Sequence, residues 1–231
     1  MTQQFLGVQW IITRRDDLAP PGPFTFADPF LMAQQRDTAE FDSWLKRVAY
    51  KTGEFTLRSG QKSSEYLDVK EAILHPESKW IANMFTLRTP KIGRLAVECD
   101  AVAGMELGGA LLANLIAYRL RCAALAIRKE DKGYGSNEPH GIVGMGNMQP
   151  GRWGRTGPLR VWLVEDVITT GGAVIQSIER LRKADDIWIM GVLAVVDREQ
   201  GGIEKIKEAL GDEKTPVSAV TTLSKVRAAT V

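Results

Sequence analysis

The segment Arg160–Ala173, which reads Arg-Val-Trp-Leu-Val-Glu-Asp-Val-Ile-Thr-Thr-Gly-Gly-Ala, most narrowly limits the folds open to this chain. Its strand-forming residues bring Glu165 and Asp166 to the carboxyl end of a strand, where open α/β sheets bind their ligands. A helix follows, and the hydroxyls and backbone N–H groups at its N-terminus predict a phosphate site. The predicted phosphate contacts are Thr169, Thr170, Gly171, Gly172 and Ala173.

The two acids indicate what carries this phosphate. Because carboxylates repel a phosphate, we expect Glu165 and Asp166 to bind the neighbouring hydroxyls of a sugar that bears it. A Gly-Gly turn after a strand can be no more than a tight strand-to-helix connection. A pair of acids at a buried strand end is costly unless a ligand binds them, which favours a site over a simple turn. The segment therefore predicts a binding site for a ribose 5-phosphate.

Composition and charge exclude several classes of protein. The 231 residues are 44% hydrophobic and 25% charged, as in an ordinary soluble protein. The formal net charge of +2 implies no broad basic surface, so we expect no nucleic-acid partner. The apolar stretch Phe5–Ile12 is too short to span a membrane and lacks the basic residues that precede the core of a signal sequence. Cys99 and Cys122 are too few for a disulfide framework, and they fit the reducing cytoplasm.

The order of elements predicts an α/β fold with one main domain. After residue 100 strands and helices alternate, which predicts a doubly wound, mainly parallel sheet. Residues 38–231 are expected to form this domain, with a small hood over 38–75 and a core over 76–231. Residues 1–37 contain a proline-rich stretch and are expected to form an extended arm of unknown role.

Spacing and turn residues predict the individual elements. In the hood, a helix that starts at Asp37 and stops at Gly53 is expected to precede a β-hairpin. The hairpin strands are expected near 55–57 and 66–69. A further helix is expected from Glu77, followed by core strands at 101–103, 123–127, 161–164, 187–196 and 217–223.

Three other stretches suit a phosphorylated ligand. The turn Gly104–Gly109 joins a strand to a helix and would let a pyrophosphate approach the backbone closely. The hairpin carries Arg58 and Lys70, which by themselves could be ordinary solvated charges. The stretch Arg128–Gly135 holds three cations beside glycines, which is typical either of a solvated loop or of a mobile loop that closes over an anion. The predicted ribose-phosphate site favours the second interpretation.

These motifs resemble a known family. The segment Arg160–Ala173 resembles the phosphoribosyl pyrophosphate (PRPP) signature of the type I phosphoribosyltransferases. The hairpin Phe55–Lys70, the pattern Arg-Lys-Glu-x-Lys from Arg128 and the pattern Asp-Arg-x-x-x-Gly from Asp197 are similar to the orotate phosphoribosyltransferases in particular. The resemblance implies transfer of a 5-phosphoribosyl group from PRPP to orotate, giving orotidine 5′-monophosphate and pyrophosphate in pyrimidine (UMP) synthesis.

The resemblance also implies roles for individual residues. Lys132 and Asp166 would be the catalytic residues. PRPP would be bound by Arg128, Lys129, Glu165, Asp166, Thr169, Thr170, Gly171, Gly172 and Ala173. Orotate and pyrophosphate would be bound by Arg58, Lys70, Thr169 and Arg198, with Arg198 on the orotate carboxylate. Mg²⁺ would be the cofactor, bound through PRPP with no direct protein ligand.

Two positions depart from the family pattern. Arg58 stands where the family usually has lysine, which keeps the charge but changes the geometry of anion binding. Tyr134 stands where the family often has histidine. The glycine- and arginine-rich stretch 147–158 looks like a lengthened hairpin of unknown use.

The resemblance further implies a homodimer with shared active sites. The loop Arg128–Gly135 would close over the ligand of the neighbouring subunit, so that Lys132 acts in trans. Two alternatives stay open. One is a non-catalytic regulator that senses PRPP, which would not need the cations of that loop. The other is a phosphoribosyltransferase for a different base.

Overall fold

The computed structural model describes residues 37–56, 60, 62–88, 99–130, 139–148, 157–184 and 186–231. The predicted arm before Asp37 lies outside the described residues, as do Arg58, Lys132 and Tyr134. Most of the stretch 147–158 lies outside them as well.

The described chain begins with helix α1 (Asp37–Ala49), the antiparallel hairpin β1 (Tyr50–Thr56) and β2 (Lys62–Leu67), and the short helix α2 (Val69–Ile73). The predicted end of the first helix at Gly53 is wrong. The helix ends at Ala49, and Gly53 lies inside β1 beside a bulge between Thr52 and Phe55. Its φ of 154° is one that a residue with a side chain rarely adopts, so this glycine shapes a strand and ends no helix.

The core elements follow in chain order. They are α3 (Lys79–Arg88), β3 (Ala101–Met105), α4 (Gly108–Leu120), β4 (Ala123–Ile127), β5 (Ile142–Val143), β6 (Leu159–Ile168), α5 (Gly172–Lys183), β7 (Ile187–Asp197), α6 (Gly202–Leu210), β8 (Val217–Thr222) and α7 (Leu223–Ala228). The sheet has the order β5-β4-β3-β6-β7-β8, and every pair is parallel except β4 with β5. The prediction of a doubly wound, mainly parallel α/β fold is confirmed.

Helices cover both faces of the sheet because side chains alternate along its buried strands. On β6, Val161 and Leu163 join an apolar cluster with α5 and α6. Trp162 and Val164 join the opposite cluster, which includes α1, α3 and α4. Because β3, β6 and β7 are parallel neighbours, their carboxyl ends meet at one edge of the sheet. This edge holds the candidate site.

Two short helices have no counterpart among the predicted elements. Helix α2 starts at Val69, where the sequence predicts the end of a strand, and helix α7 follows β8. Within the described residues, none of the helices combines the length and the apolar character that crossing a bilayer requires.

Candidate active site

The two predicted acids lie next to each other near the end of β6. Glu165 is buried, with 6% of its surface exposed, and Asp166 is half-buried. The backbone N–H of Asp166 donates to Oε1 of Glu165 at 3.2 Å, and the N–H of Val167 donates to Oδ1 of Asp166 at 2.9 Å. Burial, followed by the neighbouring carboxyl of Asp166, raises the pKa of Glu165 well above its usual range. Burial therefore favours the uncharged form of Glu165.

The glycine-rich turn after β3 packs directly against Asp166. An ideal Cβ on Gly108 would lie 2.1 Å from Oδ2 of Asp166, so a side chain would fit there only if the carboxylate of Asp166 moved. An ideal Cβ on Gly104 would lie 2.0 Å from the carbonyl oxygen of Gly109. These two glycines bring the N-terminus of α4 to the acid pair, where its dipole favours negative charge.

The predicted phosphate contacts form an open turn at the start of α5. Gly171 precedes the helix with a φ of 83°, and the following residues Gly172 and Ala173 are exposed. Apart from its chain neighbours and the backbone of its own helix, none of the described residues has an atom within 4 Å of the position of a Cβ on Gly172. The first N–H groups of this helix are therefore accessible to an anion. We call residues Thr169–Ala173 the phosphate cradle.

The turn that carries Arg198 packs backbone to backbone against the phosphate cradle. The N–H of Arg198 donates to the carbonyl of Ile168 at 2.9 Å. An ideal Cβ on Gly202 would lie 2.4 Å from the carbonyl oxygen of Thr169. The structure thus brings Arg198 and Thr169 together, as a shared ligand would require.

Arg198 is half-buried and has donor capacity to spare. Its buried Nε has no hydrogen-bond acceptor among the described residues. The next residue, Glu199, holds the turn to α7, because its carboxylate accepts from the backbone N–H of Ser224 at 3.0 Å and from its Oγ at 2.8 Å. An unmatched buried guanidinium nitrogen beside a phosphate cradle suits an anionic ligand such as a carboxylate.

Lys70 reaches the same edge of the sheet from α2. Its Nζ lies 2.5 Å from Oδ1 of Asp68. Burial by itself lowers the pKa of Lys70. The hydrogen bond and the charge of Asp68, together with the charge of Asp166, have the larger effect and raise the pKa above its usual value. A charged lysine from the hood therefore lies near the acid pair.

The hood is fastened to α7 by a contact that the sequence does not indicate. Nε of Arg227 donates to Oε2 of Glu65 at 2.8 Å, Nη2 of Arg227 pairs with Oε1, and the hydroxyl of Tyr50 donates to Oε2. The hydrogen bond from Arg227 is the main cause that lowers the pKa of Glu65 to about 2, and Arg198 is close enough to contribute. Lys46 adds hydrogen bonds to the carbonyls of Arg227 and Ala229 at 2.7 and 2.8 Å.

The two predicted PRPP contacts Arg128 and Lys129 follow β4 directly. The N–H of Lys129 donates to Oε1 of Glu106 at 2.8 Å, which ties this residue to the glycine-rich turn. Its carbonyl accepts from Arg180 and Gln176 of α5 at 3.0 and 3.3 Å. These three partners were not among the predicted site residues. Gln176 and Arg180 share one face of a helix, but the sequence predicts that this polar face is exposed to solvent and makes no contacts.

Comparisons with known proteins identify relatives of this chain. The orotate phosphoribosyltransferase of Methanosarcina mazei is 38% identical over 162 residues, which cover 70% of this chain and 78% of that protein. The orotate phosphoribosyltransferase of Sorangium cellulosum is 35% identical over 183 residues, covering 77% and 86%. The crystal structure of orotate phosphoribosyltransferase from Aeropyrum pernix aligns with a TM-score of 0.62 at 28% identity, covering 80% of this chain and 95% of that one.

No protein-family model matches the chain. Sequence identity at this level over more than two thirds of the residues nevertheless establishes descent, and the fold agrees. The chain belongs to the orotate phosphoribosyltransferase family and has the fold of the type I phosphoribosyltransferases.

Proposed function

We propose that the described edge of the sheet is where this orotate phosphoribosyltransferase joins N1 of orotate to C1 of the ribose of PRPP. The reaction releases pyrophosphate and gives orotidine 5′-monophosphate for pyrimidine synthesis. Two contacts carry the proposal: Asp166 of the acid pair lies against Gly108, and the phosphate cradle lies against the turn of Arg198.

PRPP binds with its sugar on the acid pair and its 5′-phosphate in the cradle. Asp166 accepts a hydrogen bond from one ribose hydroxyl, and Glu165, whose pKa is raised by burial, can donate one to the other. Thr169–Ala173 surround the phosphate with N–H groups and hydroxyls. The ribose is thus held on both sides of the carbon that reacts, which fixes C1 towards the base.

Cations stabilise the departing pyrophosphate. The ribose becomes oxocarbenium-like in the transition state while negative charge grows on the pyrophosphate, so the largest contribution is electrostatic. Arg128 and Lys129 lie at the end of β4 for this purpose, and Lys132, three residues beyond Lys129, is the proposed catalytic lysine.

Orotate binds between the cradle and the hood. Arg198 pairs with its carboxylate, supported by the unmatched Nε of that arginine. Thr169, which lies beside the turn of Arg198, provides a further hydrogen-bonding group for orotate. Lys70 and Arg58 supply positive charge from the hood near orotate and the pyrophosphate.

Mg²⁺ is the proposed cofactor. Asp166 places negative charge beside the cradle, which favours a divalent cation bound to PRPP even with no direct protein ligand. When bound, Mg²⁺ neutralises pyrophosphate charge. The protein's part is to orient the sugar through Asp166 and Glu165 so that its hydroxyls and the pyrophosphate face each other.

A homodimer is the proposed assembly. Leu107 and Tyr118 are 63% and 87% exposed at the two ends of α4, and the half-buried Leu111 and Leu115 lie between them at helical spacing. A second copy of the chain would cover this apolar face, and Lys132 would act in the partner's site. We infer the cytoplasm as the compartment, because the two cysteines are too few for a disulfide framework.

One assay tests the reaction and its base specificity. Purified protein with PRPP and Mg²⁺ should release pyrophosphate with orotate and not with uracil, adenine or hypoxanthine. A chelator should abolish turnover, and added Mg²⁺ should restore it. Turnover of another base would redirect the proposal to that base, and tight PRPP binding without any turnover would favour a PRPP-sensing regulator.

A further inference from the structure

Two polar residues on α5 hold the backbone of Lys129. Nη2 of Arg180 lies 3.0 Å from the carbonyl oxygen of Lys129, and Nε2 of Gln176 lies 3.3 Å from the same oxygen. The two donors are four residues apart and so project from one face of the helix. On the other side, Oε1 of Glu106 accepts from the N–H of Lys129 at 2.8 Å. Side chains from two separate elements thus fix both polar backbone groups of this residue.

The same arginine also reaches the short 3₁₀ turn Pro139–Gly141, which precedes β5. Nη1 of Arg180 lies 3.4 Å from the carbonyl oxygen of His140. An ideal Cβ on Gly141 would lie 2.5 Å from that nitrogen, so a glycine leaves the space that the guanidinium fills. The N–H of Arg128 donates to the carbonyl of Gly141 at 2.9 Å, which pairs the two stems directly.

We propose that Arg180, assisted by Gln176, is a positioning residue that fixes the stems Arg128–Lys129 and His140–Gly141. This proposal rests on the proposed function, which assigns pyrophosphate binding to Arg128 and Lys129. Helix α5 starts at the phosphate cradle, so the contacts of Arg180 tie the pyrophosphate-binding cations to the site of the ribose phosphate. We call this set of contacts the Arg180 clamp.

The clamp acts on rate because it sets a distance. Helix α5 is rigid and fixes the distance between the phosphate cradle, which binds the 5′-phosphate of PRPP, and Arg128 and Lys129, which bind the pyrophosphate of PRPP. Displacing such groups by about 1 Å can cost about a hundredfold in rate, even when the changed residue never touches the substrate. A contact that served stability alone would change the melting temperature and leave the turnover number as it is.

Arg182 provides a matched control on the same helix. Its Nη1 and Nη2 donate to the carbonyls of Ala209 and Leu210, at 2.8 and 2.7 Å, where α6 ends. It therefore makes the same kind of double contact with two carbonyls, but with a part of the chain that the proposed function does not use. Arg182→Met measures what the loss of such a contact does to stability alone.

Steady-state kinetics separate the two roles. Arg180→Met should lower kcat by about ten- to a hundredfold while KM for orotate stays within about twofold. Arg180→Lys keeps the charge and can still bond one carbonyl, so it should recover part of the loss. Arg182→Met should lower the melting temperature and keep the parent's kcat. An unchanged kcat in Arg180→Met, or equal losses in both methionine variants, would overturn the proposal.

Hydrogen–deuterium exchange tests the clamp without any turnover. In Arg180→Met the amides of Arg128 and Lys129 should exchange faster, and the amide of Gly211, at the end of α6, should not. Arg182→Met should show the reverse. If the parent forms no orotidine 5′-monophosphate but exchange follows this pattern, the proposed reaction is wrong and the clamp stands. Unchanged exchange at Arg128 and Lys129 in Arg180→Met overturns the clamp.

A second pair of variants covers a failure of Arg180→Met to fold. Arg180→Lys and Gln176→Ala each remove only part of the contacts to Lys129. Both should show the same changes in kcat and in exchange, at reduced size. Parent-like kcat and exchange in both variants would overturn the proposal.

Discussion

The carboxylate of Asp166 lies in the space where a side chain on Gly108 would begin, with 2.1 Å between its Oδ2 and the position of an ideal Cβ. Asp166 can therefore occupy its observed position only because residue 108, at the start of α4, is a glycine. A residue with a side chain there would leave the rest of β6 unchanged and move only the end of Asp166.

Gly108→Ala should keep the fold and lose the activity. The added methyl meets the end of a flexible side chain, so the melting temperature should change little. The displaced Asp166 should lower kcat/KM for PRPP by about a hundredfold. Gly104→Ala is the contrasting variant, because its methyl would lie 2.0 Å from the backbone oxygen of Gly109 and should lower the melting temperature. A fully active Gly108→Ala would show that the observed position of Asp166 is not the one that binds ribose.

Arg198→Ala and Asp166→Asn should impair different substrates. The first variant removes the partner of the orotate carboxylate and should mainly raise KM for orotate, by about tenfold or more. The second should mainly impair the use of PRPP, because it removes the charge that holds the ribose. Initial rates measured with each substrate varied in turn give both constants. Equal effects of Arg198→Ala on the two substrates would remove the assignment of Arg198 to orotate.

Glu165→Gln should become relatively more stable than the parent as the pH rises. Burial raises the pKa of Glu165 in the folded protein above its unfolded value of 4.5, so the folded state loses stability as this group ionises. Below about pH 4 both states are protonated, and the amide has no such advantage. Melting temperatures of both proteins between pH 4 and pH 9 measure the effect. A difference that does not vary with pH would contradict the raised pKa.

Glu65→Gln should destabilise the protein at neutral pH and less so in acid. The pKa of Glu65 is lowered from 4.5 to about 2, so its contribution is complete above pH 4.5 and is lost as the pH falls towards 2. Because Arg227 is about half exposed, we expect a loss of only about 1 kcal/mol in the free energy of unfolding. Urea denaturation at pH 7 and pH 3 measures it. Glu71→Gln breaks the exposed pair with Lys51 and should have almost no effect at either pH.

Mixed dimers should recover activity if Lys132 acts in the neighbouring site. Lys132→Ala and Asp166→Asn should each be nearly inactive. In a mixed dimer one site carries both changes and the other carries neither, so random exchange should leave about a quarter of all sites intact. Mixing the two variants and following activity with time measures the recovery, and differently tagged subunits verify the exchange. Proven exchange without recovery would place Lys132 in its own subunit's site.

Local patterns account for the parts of this structure that the sequence predicts well. The buried run on β6, the acids after it and the Thr-Thr-Gly-Gly turn are adjacent in the chain, so the strand, its ligand-binding end and the helix start can all be read from one segment. The strand Ala123–Ile127 has the predicted bounds for the same reason. Gly53 shows the limit, because a glycine ends a helix in one context and relaxes a bulge in another.

Contacts between distant residues account for what the sequence does not reveal. Glu65 and Arg227 are both ordinary charged residues in their own segments, and only the fold pairs them. The contacts of Arg180 cannot be read from the sequence either, because its partners are backbone carbonyls, which every residue has. The placement of Arg198 beside the phosphate cradle depends on two glycines of different turns meeting, and no local pattern indicates that meeting.

The fastening of the hood to α7 also sets the order in which the molecule can assemble. Glu65 and Arg227 are 162 residues apart in the chain, and Lys46 is 181 residues from the carbonyl that it binds. Closing loops of this length is unfavourable until the sheet between them is formed. On the ribosome, the first helix and the hairpin are therefore made early but stay without their polar contacts to α7 until that helix is synthesised. Leu223 and Val226 of α7 belong to the same apolar cluster as α1, so the contact that holds the hood forms only when this part of the core is completed.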